Sequence, residues 1–237
     1  MLVAAAVCPH PPLLVPEATG AAGGADRDGC LGELRAACDA AVAGLAAAAP
    51  EEVVVVGGAA ATAVYDGSAA GSLREYGVGY QVGAGEPVLP LSLTVGAWLL
   101  ARSGTFGPGH WRLQAVDRVA PPARCLRLGA AIAARAPRVA LLVMGDGPAR
   151  RAVGAEGAAD PAAERYAAEV AAALAEADPA RLARLAPALD DELMVAGRAA
   201  WQVLAGAADG RRLRGRLRCA VTPYEVSYLV ASWDGTG

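Results

Sequence analysis

Two short apolar runs limit this chain more than any other feature. Glu52 to Val56 reads Glu-Val-Val-Val-Val and is followed by Gly57-Gly58. Arg138 to Met144 reads Arg-Val-Ala-Leu-Leu-Val-Met and is followed by Gly145-Asp146-Gly147. Each is too short for a typical helix and apolar at successive positions. A strand with that pattern must be covered on both faces, which places it at the centre of a sheet flanked by helices. Leu2 to Val7 repeats the pattern and runs into Cys8-Pro9-His10-Pro11-Pro12, a rigid loop.

Helical stretches separate these runs. Gly29 to Ala49 carries Leu31, Leu34, Cys38, Val42 and Leu45 at helical spacing, and Pro50 stops it. Val95 to Arg102 and Pro121 to Ala136 read as further helices. Asp160-Pro161 and Asp178-Pro179 each place a capping carboxylate before a proline at the first helical position. Asp190 is expected to cap a helix reaching about Ala208. Trp111 to Arg118 alternates as a strand. After the Asp209-Gly210 turn, Arg211 to Val221 and Tyr224 to Trp233 read as two strands able to pair. Residues 59–90 are rich in Gly, Ala, Ser and Pro and give only short segments of no fixed type. The alternation predicts an α/β fold: a single-domain sandwich over 1–237, with a mostly buried central sheet and flanking helices.

Composition removes several functions. With 55% hydrophobic and 19% charged residues, the chain is not disordered. Pro87 to Ala101 is its nearest approach to a membrane span, and Pro90, Ser92, Thr94 and Gly96 interrupt it. The opening residues lack the basic region of a signal peptide, so a cytoplasmic protein with no membrane partner is expected. All 21 basic residues are arginine, which removes Schiff-base and lysine general-base chemistry. The only histidines are His10 and His110. The five cysteines form no Cys-x-x-Cys pair. Cys30 and Cys38 would stand about 12 Å apart on one helix, too far for a disulfide. Reduced, mostly buried thiols are expected.

Three motifs carry candidate chemistry. His10, held by prolines at a strand end, suits a metal ligand or a general base; the bland alternative is a loop histidine packed on prolines. Gly145-Asp146-Gly147 would let backbone amides approach a ligand, with Arg150 and Arg151 as anion contacts, or would be a tight turn beside solvated arginines. Arg211 to Arg218 alternates arginine with apolar residues. The run lacks interleaved aromatics and the net charge is −3, so an exposed strand face is favoured over a nucleic-acid surface. No GxGxxG, GxSxG or P-loop is present.

Taken together, these segments resemble the class III extradiol dioxygenase (LigB-like) family and the related Memo-like proteins, in particular an actinobacterial LigB-like branch. The resemblance rests on four short motifs in the family's order. They are the opening strand with Pro9-His10-Pro11-Pro12, the strand Arg138–Met144 with Gly145-Asp146, the segment Val195-Ala196-Gly197-Arg198, and the closing Val226-Ser227-Tyr228.

The resemblance implies an Fe(II) site of two histidines and a carboxylate, with a further histidine as acid or base. His10 matches the first ligand. Gly57, Gly58 and Ala59 stand where the second is implied, Ala149 where the acid/base histidine is implied, and Ala196 where the Memo-like cysteine is implied.

The expectation is therefore a LigB-like protein with an incomplete Fe(II) site. It would use its cleft to bind a small molecule or for metal-independent chemistry, with no cofactor. His10 and Asp146 are the expected catalytic pair, and Arg198 and Arg150 the expected ligand contacts. His10 would ligate a metal only if one binds. Glu17, Glu192, Glu225 and His110 are further candidates to reach the His10 cleft. Alternatives are an Fe(II) ring-cleaving dioxygenase with atypical ligands and a non-catalytic interaction subunit. The family implies a homo-oligomer.

Overall fold

The apolar runs form the middle of one seven-stranded sheet. The computed structural model describes residues 1–19, 29–107, 111–149 and 160–235. Four strands lie parallel at its centre: β1 (Leu2–Cys8), β2 (Glu52–Ala59), β6 (Trp111–Asp117) and β7 (Val139–Met144). The strand order is β3-β6-β2-β7-β1-β9-β8. The edges run antiparallel to their neighbours: β3 (Ala63–Asp66) on β6, β9 (Tyr228–Gly235) on β1, and β8 (Leu213–Val221) on β9. The short pair β4 (Gly71–Ser72) and β5 (Gln81–Val82) lies outside this sheet.

Helices cover both faces, as continuously apolar strands require. On one face α1 (Cys30–Ala47) and α2 (Leu91–Ser103) pack over Val53, Val55, Leu113, Leu142 and Met144. On the other, α3 (Pro122–Ala133), α4 (Pro161–Glu176), α5 (Pro179–Ala183) and α7 (Arg198–Ala208) cover Val54, Val56, Leu141 and Val143. Each valine so buried contributes about 1.5–3 kcal/mol. The short α6 (Ala188–Leu193) precedes α7. The faces follow from chain direction. Crossovers β1→β2 and β2→β6 run one way along the sheet and β6→β7 runs back, so right-handed connections put α3 opposite α1 and α2.

Several boundaries differ from the sequence expectation. α2 begins at Leu91 rather than Val95, because Pro90 takes an extended φ, ψ of −65°, 161° and starts the helix. Asp160 and Asp178 cap as expected, accepting from the amides of Ala162 and Arg181. Asp190 does not cap α7. It lies within α6, and Gly197 occupies the N-cap position of α7. The strand from Trp111 is not half-exposed: only Arg112 is exposed, since β3 and two helix layers cover the rest. The run from Arg211 forms the edge strand β8, with Arg214 and Arg216 exposed. No described helix is long and apolar enough to cross a membrane.

Candidate functional site

Parallel strands end together, so the residues that follow them are gathered at one edge of the sheet. His10 follows β1, Gly58 and Ala59 end β2, Arg118 follows β6 and Asp146 follows β7. All five line one cleft of about 510 Å³. Clefts beyond the carboxyl ends of a parallel sheet are the usual ligand sites of open α/β folds. Here the wall is completed by Leu89-Pro90-Leu91, Ser92, Tyr76 and Glu75.

The His10 loop is fixed at both ends. Arg35, from α1, donates to the carbonyls of Leu13 and Leu14 at 2.9 Å each. Asp146 Oδ1 accepts the His10 backbone N–H at 2.7 Å. The same oxygen stands 3.5 Å from His10 Nδ1, which is buried and has no hydrogen-bond partner among the described residues. A carboxylate beside Nδ1 selects the tautomer protonated there and leaves the other ring nitrogen as the base. Such contacts are often long in a ligand-free site and tighten when substrate binds.

The Gly145–Ala149 segment is equally constrained. Gly145 donates to the Cys8 carbonyl at 2.9 Å, Gly147 to Ser227 at 2.8 Å, and Ala149 to Leu193 at 3.0 Å. The amides of Gly145 and Gly147, two of those expected to approach a ligand, are therefore spent within the protein. The segment serves instead to hold the Asp146 carboxylate. Tyr228 stands beside it on β9. Burial, and then the Asp146 charge, push its phenol up, so it stays neutral.

Arg198, expected as a ligand contact, is a correction. It is only 1% exposed. Its guanidinium pairs with Asp190 and donates to the carbonyls of Ala120 (3.0 Å) and Arg118 (2.6 Å) and to Gln202 Oε1 (2.8 Å). With its donors so engaged it does not line the cleft. It holds the turn that carries Arg118, whose side chain does line the cleft and is paired with no described carboxylate. Sequence reasoning missed Arg118, although it directly follows a strand, as His10 and Asp146 nearly do.

Glu17, Glu192 and Glu225 are exposed, and none lines the cleft. Arg150, Arg151 and His110 lie outside the described residues. The cysteines are free; Cys8, Cys38 and Cys125 are buried, as expected, and Cys30 and Cys219 partly so. The neighbouring Cys8 thiol and burial hold the Cys38 thiol up and protonated.

The donor set does not fit the Fe(II) site that the resemblance implies. Among the described residues, no three of His, Cys, Asp or Glu converge to hold a metal ion. The second-ligand position is also filled: a Cβ on Gly57 would stand 2.4 Å from Ser92 Oγ, which donates to the Gly58 carbonyl at 2.8 Å. A Cβ on Gly58 would stand 3.1 Å from the Ala196 carbonyl.

No family model and no curated protein matches the chain. Among solved structures, it is similar to the uncharacterized protein JW3007 from Escherichia coli K12, at 17% identity and a TM-score of 0.57, over 98% of this chain and 100% of that one. At that identity the likeness establishes the α/β fold and nothing about the chemistry.

Proposed function

We propose that this chain is a LigB-like protein whose cleft binds a small organic anion and acts on it by proton transfer at His10, without a metal ion. The observation that carries this reading is the cleft itself. A histidine faced by a half-buried carboxylate and an arginine with no acidic partner among the described residues follow three of the four parallel strands, β1, β7 and β6, and line one cleft. Arg118 supplies the anion contact. Asp146 is a positioning residue, holding the His10 loop and facing its imidazole. The apolar wall Leu89-Pro90-Leu91 and Tyr76 take the organic part of the ligand. The four motifs of the dioxygenase resemblance support the ancestry; the donor set supports chemistry that needs no iron.

The test begins with elemental analysis of protein purified without a metal-affinity tag, beside His10→Ala. No stoichiometric transition metal is expected in either. One equivalent of iron, lost in the variant, would overturn the reading in favour of a ring-cleaving dioxygenase. Benzoate and citrate are then titrated in. Binding is expected to weaken about tenfold or more in Arg118→Gln, the loss of one charge-assisted contact. With only two histidines in the chain, the His10 ring signals can be followed by NMR and should shift on binding. Unmoved His10 signals, or no saturable binding of either anion, would count against the proposal. A stable complex with a neighbouring gene product in their place would mark an interaction subunit.

A further inference from the structure

The opposite edge of the sheet carries a second concave site. A groove of about 640 Å³ is lined by Arg138, Arg211 and Arg218, by Asp234, and by small residues of α1 including Gly44 and Ala47. Val3, near the start of β1, and Arg138, just before β7, place it at the amino ends of the parallel strands, away from the His10 cleft. We propose that this groove binds a phosphorylated, hydroxyl-bearing small molecule.

The charge balance favours an anion. Three arginines from two separate parts of the chain line the groove beside one carboxylate, Asp234, which is paired with none of them. The negative end of α1 also points here. Arg138 cancels it by donating to the carbonyls of Ala48 and Ala49, the last residues past the helix. Arg218 is steadied through its Nε, which donates to Ser232 Oγ, leaving its terminal nitrogens for a ligand. Among the described residues, the Arg211 side chain donates only to the Met1 sulfur. Neither has a described carboxylate partner.

The geometry of the charges selects phosphate. A planar carboxylate offers two oxygens in one plane, and two arginines reach it side by side, as Arg112 and Arg135 reach Glu52. A tetrahedral phosphate dianion offers three and accepts forks arriving from different directions. The floor of Gly44, Ala47 and Ala48 has no side chain large enough to fill the groove, so an organic body can lie on it. Asp234, exposed at the rim, can accept from a hydroxyl of that body.

Calorimetric titration of the full chain with pyrophosphate, ribose 5-phosphate, ribose and citrate tests this. Saturable binding of the two phosphates is expected, weakened by raising the salt, with none for ribose. Arg211→Gln and Arg218→Gln should each weaken it about tenfold. Arg211 is exposed and Arg218 half-buried, and Gln at 218 keeps a donor for Ser232, so the fold should tolerate either change. Ala47→Glu, at an exposed helical position, sets a carboxylate into the groove and should abolish binding. Arg118→Gln, in the other cleft, should leave it unchanged. The proposal falls if neither phosphate saturates below about 10 mM, if citrate binds the Arg118→Gln protein, whose other cleft is disabled, as tightly as both phosphates do, or if Arg118→Gln removes the phosphate binding and Arg218→Gln does not.

Discussion

Arg198→Met is expected to cost about 3–5 kcal/mol of folding stability, the range for removing one partner of a buried ion pair. The side chain is 1% exposed, and its loss strands the Asp190 carboxylate and the carbonyls of Arg118 and Ala120. The pH dependence identifies the cause. In the wild type, burial already raises the Asp190 carboxyl above its ordinary value, and Arg198 draws it part of the way back. Without Arg198 it rises further. A carboxyl raised in the folded state contributes stability below its unfolded value and loses it as pH climbs through the folded one. Urea unfolding should therefore show the variant's deficit shrinking from pH 7 to pH 5. Asp190→Asn added to Arg198→Met should recover part of the loss at pH 7, because no buried charge then lacks a partner. A single-variant loss below about 1 kcal/mol would mean that the pair is solvated and that Arg198 does not hold the Arg118 turn.

The second large effect concerns the contact of α3 with α7, where two glycines bring the helix backbones together. A Cβ on Gly129 would lie 1.9 Å from the Val203 carbonyl, and one on Gly206 would lie 2.0 Å from the Leu126 carbonyl. Both obstacles are backbone, so no rotamer change relieves them. Gly206→Ala and Gly129→Ala should each cost about 3 kcal/mol or more, at the upper end of overpacking. That reverses the usual sign, since alanine in a helix is ordinarily better than glycine by about 0.5–1 kcal/mol. Gly44→Ala is the control. It lies in α1 with nothing nearer its Cβ than Asp234 Oδ1 at 4.0 Å, and should stabilise by that ordinary amount. Thermal unfolding that placed Gly206→Ala level with the control would show that the helices separate freely. The Arg118 turn, which leads into α3, would then be held less firmly than Arg198's hydrogen bonds imply.

These two sites also mark how far the sequence is legible. Local chemistry decided the elements. Uninterrupted valine and leucine runs could only be strands covered on both faces. Prolines and aspartates set the starts of α4 and α5, and the turn at Asp209-Gly210 stands where composition puts it. The same reasoning picked out His10 and Asp146, because a polar residue just beyond a buried strand has few structural reasons to be there. The arginine that the resemblance pointed to, Arg198, does not line the cleft, and Arg118 does. Arg118 follows a strand and Arg198 opens a helix, but only packing shows that Arg198 is enclosed by carbonyls while Arg118 lines the cleft.

Distances along the chain explain the rest. Asp146 meets His10 from 136 residues away, and Arg198 meets Arg118 from 80. Such pairings depend on strand order, which the periodicity of a single strand cannot encode. Residue pattern alone specifies a buried parallel sheet between helix layers and the loops in which chemistry would lie. Which side chains share a cleft is decided only in the folded chain, because strand neighbours are chosen by crossover direction and by the fit of whole faces.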